Sequence, residues 1–534
     1  MQSILASLPS GGDGRHVAPK PQSASADRHA SSSPHAWLAL LAVMAIGLLA
    51  RLHNLGEYSL WRDEGYSARA ITHSYFFQWR ILPRFEFTPP GYYLILKAWT
   101  ELAGNSEFAL RLPSVLFNVA TIPVVFLIGR MLGCGPKGSP FNGLLAAVLF
   151  TLSALQLQYA QDARCYTLLV FVVSMAILTA LRIMREGDPG PIPVKRWLPL
   201  GVLLGLIPWI HYTGALAVIT LAAALAYWWY AAAHRDLVVL KGLLLAAAVS
   251  LLVVLPNLLS LLGRAADVYK GYWITKPGLG DIVGTVLQFS GTAFTGTREV
   301  IFLLFLGLSI LGLRDLRANG KAMAAVLLVC VGLLPPLMEI VISYIAMPVF
   351  LERTLLYASI PLSVLVGRGA ESLRGRRRVL CIISLVGLLG INATGYLANA
   401  YKESWKDAVA YLNANMRPGE PVFYTNTSAG WAMAYYIERT RAGFVSHGVP
   451  FRSDDFGFAE RDDLLLPDTG RQVNAQDIAR VRQLMAGARR IGVVLWDSSR
   501  SDPGRMLMSE VEKEFRPVDE KKIAGMVILI LDRR

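Results

Sequence analysis

The chain reads as a polytopic α-helical membrane protein with about eleven transmembrane helices and a C-terminal extracytoplasmic α/β domain. Three observations predict this. Apolar runs of about 18 residues recur as far as residue 397 and then stop. Of 534 residues 54% are hydrophobic and only 17% charged, with a mean hydropathy of +0.43. Basic residues collect in the short loops between runs. A soluble domain carries about 25% charged residues and a disordered regulator pairs low hydrophobicity with high charge, so the composition excludes both.

Residues 1–34 are rich in Ser, Pro, Ala and Gly without a periodic apolar face, and read as a disordered cytoplasmic tail. The first apolar run lies too far from the start for a cleavable signal, which makes it a retained span. The expected spans are 36–52, 112–132, 143–160, 166–184, 197–212, 214–231, 238–260, 299–316, 322–345, 354–373 and 379–397. The stretch Tyr92–Ala103 is amphipathic and too short to span, and is assigned to the interface. Together, 35–399 form the membrane domain and 400–534 the α/β domain. In the latter, Ser404–Met416 and Ala475–Ala486 read as helices, and Pro421–Tyr424, Ile491–Trp496 and Ile523–Leu531 as strands.

The net charge of +14 raises the question of nucleic acid. However, Arg182, Arg185, Lys195 and Arg196, and Arg374, Arg376, Arg377 and Arg378, lie in loops between apolar runs. That is the positive-inside pattern and not a nucleic-acid footprint. It places the N-terminus inside and the C-terminal domain outside. Four cysteines form neither a CxxC pair nor a Cys/His cluster, so no zinc site or disulfide framework is expected.

With that topology, polar residues gather on the outer side: Asp63 and Glu64, Arg84 and Glu86, Asp162 and Arg164, His211 and Tyr212, and Glu352 with Arg353. Ionisable groups at membrane depth are expensive and mark function. Bland readings stand beside this. Arg111 reads equally as a residue snorkelling to a lipid phosphate, Asp162 and Arg164 as a local pair, and His211 as a hydrogen-bonded interface residue. The adjacent Asp63 and Glu64 have no such structural return.

The stretch Ser59-Leu60-Trp61-Arg62-Asp63-Glu64-Gly65-Tyr66-Ser67 resembles the first outer loop of the GT-C glycosyltransferases. Within them it is most similar to the family of the dolichyl-phosphate-mannose protein mannosyltransferases and the lipid A aminoarabinose transferases. Thr88-Pro89-Pro90-Gly91-Tyr92-Tyr93 resembles the family's paired-proline motif, and Ser106 to Ser114 the start of its second span. Tyr159-Ala160-Gln161-Asp162-Ala163-Arg164 resembles its second acidic loop, and Glu352-Arg353 a late arginine motif. At Thr88 many relatives carry a basic residue or His, so a phosphate or metal contact from that position is not carried over.

The resemblance implies a GT-C-like enzyme that moves a sugar from a polyprenyl-phosphate donor to an acceptor outside the cytoplasm, with inversion. It gives Asp63 the part of general base, with Glu64 in support. Arg164 and Arg353 are candidates to stabilise the leaving phosphate. Asp162 would position the acceptor or the arginines, or hold a divalent cation, and metal dependence stays open. Glu86, His211 and Tyr212 are further binding candidates. So are Tyr269 and Trp273, in an outer loop over 261–296 that reads either as a lid or as an aromatic belt. A lipid-linked sugar flippase and a non-catalytic assembly subunit remain as rivals. A transporter is expected to show charges near mid-membrane and internal repeats.

Overall fold

The computed structural model describes residues 34–82, 88–135, 138–185, 194–231, 237–262, 274–291, 296–400, 402–451 and 471–534. The expected N-terminal tail, apart from Pro34, lies outside them.

The membrane part contains α1 (Pro34–Leu52), α2 (Arg62–Ala70), α3 (Pro90–Ala103), α4 (Glu107–Leu132), α5 (Pro140–Leu152), α6 (Ala154–Ala160), α7 (Tyr166–Met184) and α8 (Trp197–Ile210). There follow α9 (Gly214–Ala231), α10 (Leu237–Leu262), α11 (Leu279–Gln288), α12 (Arg298–Ala318), α13 (Ala322–Ile345), α14 (Ser359–Ser372) and α15 (Gly375–Asn399). All eleven expected spans fall on helical segments. Seven of these helices are long and apolar enough to cross a membrane alone, and α5 with α6 makes an eighth, bent by 60°. The other three differ for visible reasons. Helices α8 and α14 have 14 residues each, and α12 carries Arg298, Glu299, Arg314, Asp315 and Arg317 near its ends. The chain is a multi-pass membrane protein.

Two local features shape the bundle. At the α5–α6 break, Ser153 Oγ accepts the Gln156 N–H at 3.3 Å and the Ala154 N–H turns to the Gly291 carbonyl at 2.8 Å. The chain therefore bends by 60° between α5 and α6, ahead of Asp162. Helices α12 and α14 then pack at backbone distance, since a Cβ on Gly369 would meet the Leu308 carbonyl oxygen at 1.9 Å. At the end of the bundle that carries Asp162, Arg51, fully buried, donates to Asn118 Oδ1 at 2.6 Å, and Asn118 donates to Gln156 Oε1 at 3.0 Å.

The C-terminal part runs α16 (Trp405–Asn415), β1 (Pro421–Thr425), α17 (Ala429–Thr440), β2 (Val445–Val449), α18 (Ala475–Met485), β3 (Arg490–Leu495), α19 (Ser498–Ser501), α20 (Met506–Glu514), β4 (Phe515–Ile523) and β5 (Met526–Arg533). The sheet order is β2-β1-β3-β5-β4, with β2, β1 and β3 parallel and the rest antiparallel. Strand alternation divides the core. Val422, Tyr424, Ile528 and Ile530 join the apolar mass continuous with the membrane helices, while Phe423, Val493, Leu529 and Leu531 pack with Ile478 and Val481 of α18 and Leu507 and Val511 of α20.

Two expectations change. The Asp63–Glu64 segment, read as loop, is the helix α2. The strand expected over 523–531 is the end of β4, a turn with Ala524 and Gly525 at φ 50° and 79°, and β5.

Candidate active site

The first turn of α2 carries both acidic residues, where the helix N-terminus favours negative charge. They face different partners, and that divides their work.

Glu64 is fully buried. Its two oxygens accept from Arg111 Nε and Nη2, both at 2.7 Å, and Oε1 also accepts the Ala163 N–H at 2.9 Å. Lys402 Nζ reaches Glu64 Oε2 at 3.1 Å, Asp162 Oδ1 at 2.7 Å and the Gln161 carbonyl at 2.7 Å. Two carboxylates and two cations thus neutralise one another inside the protein. Burial alone would raise the Glu64 carboxyl, but Arg111 and Lys402 bring it down to about 2. For Asp162 burial prevails, with Glu64 adding to it against Lys402, and its carboxyl is raised.

Asp63 has a side chain 12% exposed. Arg62 Nε lies 3.2 Å from Oδ1, and Arg353 Nη2 3.6 Å from Oδ2. Burial pushes this carboxyl up, yet Arg62, Arg353 and Arg164 together hold it below the ordinary carboxylate value. Arg164 donates to Tyr93 Oη at 2.8 Å, to the Asp63 carbonyl at 3.4 Å and to Thr88 Oγ1 at 3.3 Å. Thr88 is therefore an arginine contact in this chain. Tyr166 lies beneath both guanidiniums, with Arg164 and Arg353 Cζ 6.0 and 5.9 Å from its ring centroid. Next to Arg353, Glu352 accepts the Tyr159 hydroxyl at 2.8 Å.

His211 closes this group. Its ring is 6.3 Å from that of Tyr166 and its Nδ1 is 2.9 Å from Thr213 Oγ1, with Tyr212 half-buried at the same turn. The structure thus brings Asp63, Glu64, Asp162, Arg164, Arg353 and His211 to one end of the bundle. Glu86, Tyr269 and Trp273 lie outside the described residues. Among the described residues no three His, Cys, Asp or Glu side chains gather as a metal site, and Asp162 Oδ1 is taken by Lys402.

Arg111 is not a lipid-facing anchor: it is 1% exposed, and besides Glu64 it donates to the Leu55, Tyr58 and Ser59 carbonyls. Lys402 and Tyr166 were not singled out in the sequence. A lysine just past the last span, on the side where basic residues are scarce, was the available signal for the first.

The C-terminal domain supports α2 directly. A Cβ on Gly65 would lie 2.5 Å from the Ala432 nitrogen of α17, so only glycine allows this approach. The Leu60 N–H donates to Tyr436 Oη at 2.7 Å, Tyr66 and Trp431 meet edge-on at 4.8 Å, and the Arg62 N–H donates to Glu403 Oε2 at 3.1 Å.

Residues 88–259 match the family described as dolichyl-phosphate-mannose-protein mannosyltransferase. The fold is similar to that of ArnT from Cupriavidus metallidurans in the apo state, with a TM-score of 0.62 at 12% identity over 94% of this chain and 98% of that one. The same protein bound to undecaprenyl phosphate gives 0.57 at 14% identity over 93% and 98%. The archaeal oligosaccharyltransferase AglB from Archaeoglobus fulgidus, in complex with an inhibitory peptide and a dolichol-phosphate, gives 0.50 at 12% identity over 93% and 74%. No curated protein matches. The chain has the GT-C fold and resembles the protein mannosyltransferase and ArnT group.

Proposed function

We propose, from this GT-C fold and its resemblance to the protein mannosyltransferase and ArnT group, that the chain is a glycosyltransferase of the plasma (inner) membrane. It takes a sugar from a polyprenyl-phosphate donor and passes it to an acceptor hydroxyl on the extracytoplasmic side, where the C-terminal domain lies. The observation that carries this reading is one carboxylate, Asp63, faced by Arg62, Arg164 and Arg353 at one end of the bundle.

The acceptor oxygen attacks the anomeric carbon as the bond from that carbon to the phosphate oxygen breaks, inverting the centre. Asp63, ionised at neutral pH, takes the hydroxyl proton as the new bond forms. The leaving polyprenyl phosphate is already an anion and requires no strong acid. Arg353 and Arg164 stabilise its charge at a site largely closed to water. His211 and Tyr212 line the donor side. Glu64 and Asp162 keep α2 and the Asp162–Arg164 loop in place and do not enter the chemistry.

The test is transfer in proteoliposomes, with a radiolabelled polyprenyl-phosphate sugar and an extracted envelope acceptor fraction. The expected result is an acceptor-linked sugar of inverted configuration. Asp63→Asn should lower turnover by about 10²–10⁴-fold with donor binding kept. Movement of the labelled lipid across the bilayer without transfer would identify a flippase instead, and near-normal turnover in Asp63→Asn would remove the base from Asp63.

A further inference from the structure

Helix α13 carries a carboxylate for which the proposed chemistry has no direct use. Glu339 is 0% exposed inside a helix apolar enough to span the membrane. Among the described residues its partners are hydroxyls and a backbone N–H, with no cation. Thr354 Oγ1 lies 3.1 and 3.3 Å from its two oxygens, sharing its proton with the Leu351 carbonyl at 2.8 Å. The Leu351 N–H donates to Oε2 at 3.4 Å, and the Thr213 side chain lies beside the carboxylate. One helical turn on, Ser343 Oγ accepts the Val349 and Phe350 N–H groups at 2.9 and 3.0 Å.

These contacts converge on two places. Glu339 and Ser343 lie on one face of α13 and hold the extended segment that leads into Arg353. Thr213, beside Glu339, has its hydroxyl 2.9 Å from His211 Nδ1. A buried ionisable group in a span is costly and is kept for a role, and these partners define one.

We propose that Glu339 is a positioning residue for the donor half of the site, fixing the Leu351–Thr354 turn that aims Arg353 and, through Thr213, the ring of His211. The proposal rests on the reading of Arg353 as a donor-phosphate group and of His211 as a residue lining the donor side. Glu339 touches no substrate itself. Its acceptor oxygens set where a guanidinium and an imidazole point, and a displacement of about 1 Å at such groups is worth up to about a hundredfold in rate.

The test measures donor and acceptor KM separately in the reconstituted full-length protein. Glu339→Leu and Thr354→Val should each raise donor KM, the first by about tenfold or more, and leave acceptor KM unchanged. Glu339→Gln, which keeps an acceptor oxygen, should recover most of the loss. In an Arg353→Ala background, Glu339→Leu should add little. Should Glu339→Leu not fold, as judged by its unfolding midpoint, Thr354→Val and Glu339→Gln carry the test. Equal changes in both KM values, an additive effect with Arg353→Ala, or an unchanged donor KM in Thr354→Val would overturn it. If Arg353→Ala itself binds donor normally, the assignment of the phosphate site fails, which is a separate result.

Discussion

Lys402 donates to Asp162 Oδ1 at 2.7 Å across 240 residues of sequence, and the same ammonium reaches Glu64. The segment after the last membrane helix is therefore part of the ion cluster under the candidate base.

Glu64→Gln should destabilise the protein. Removing one partner of a buried ion pair costs about 3–5 kcal/mol, because Arg111 stays buried without its bidentate partner while the remaining carboxylate, Asp162, is engaged by Lys402. Thermal unfolding in detergent should show a lowered midpoint, and adding Arg111→Gln should cost less than the sum of the single changes. The carboxyl at about 2 lies below its unfolded value of about 4.3. Its contribution is therefore fully present above that unfolded value and disappears as the pH falls through about 2. A midpoint unmoved by Glu64→Gln would show that the pair carries no net stabilisation.

Asp63 behaves differently under titration. It is held below the ordinary carboxylate value by three guanidiniums that together outweigh burial. The acid limb of its kcat/KM profile should therefore lie below about pH 4, the unperturbed value for Asp. Arg353→Ala removes one of those charges while burial remains, so the limb should shift to higher pH as overall rate falls. A limb that stays put in that variant would mean that Arg353 does not act on Asp63.

The orientation of the bundle is testable with the native cysteines. Cys134 is exposed at the end opposite Asp63, where its N–H donates to Glu371. A membrane-impermeant maleimide applied to right-side-out spheroplasts should label Lys522→Cys, which replaces a side chain 77% exposed on β4, and should reach Cys134 only after permeabilisation. The reverse pattern would put Asp63 in the cytoplasm.

Gly65→Ala should uncouple α17 from α2. The added methyl would meet backbone at 2.5 Å, and backbone cannot swing aside as a side chain does. Turnover should fall strongly while membrane insertion persists, and limited proteolysis should cut the C-terminal domain faster than in the parent. A fully active, protease-resistant Gly65→Ala protein would show that the contact relaxes at no cost.

The membrane helices were legible because a long apolar run has few other fates, and the acidic pair at 63–64 stood out because it is costly beside a span. The division of labour between the two carboxylates was not legible. It depends on Arg111, 47 residues away from Glu64, and on Lys402, 338 away, and neither differs locally from an ordinary interfacial base. Strand β4 escaped for another reason: Arg516, Pro517 and the run Asp519 to Lys522 form an exposed edge with almost no apolar alternation. Helix α2 was hidden by its polar composition, since its buried face is lined by Glu64, Gly65 and Ser67 as much as by Tyr66.

The contact of α2 with α17 also fixes when in its life the protein becomes competent. Leu60 and Tyr436 are separated by 376 residues, so a ribosome that has completed every helix through α15 has released a chain still lacking Lys402, Ala432 and Tyr436. At that moment Glu64 and Asp162 share Arg111 alone, and α2 lacks the surface of α17 against which Gly65 and Tyr66 pack. The nascent polypeptide is inserted but incomplete, and the proposed transfer should begin only after the last α/β layer has folded back onto a helix made at the very start of synthesis.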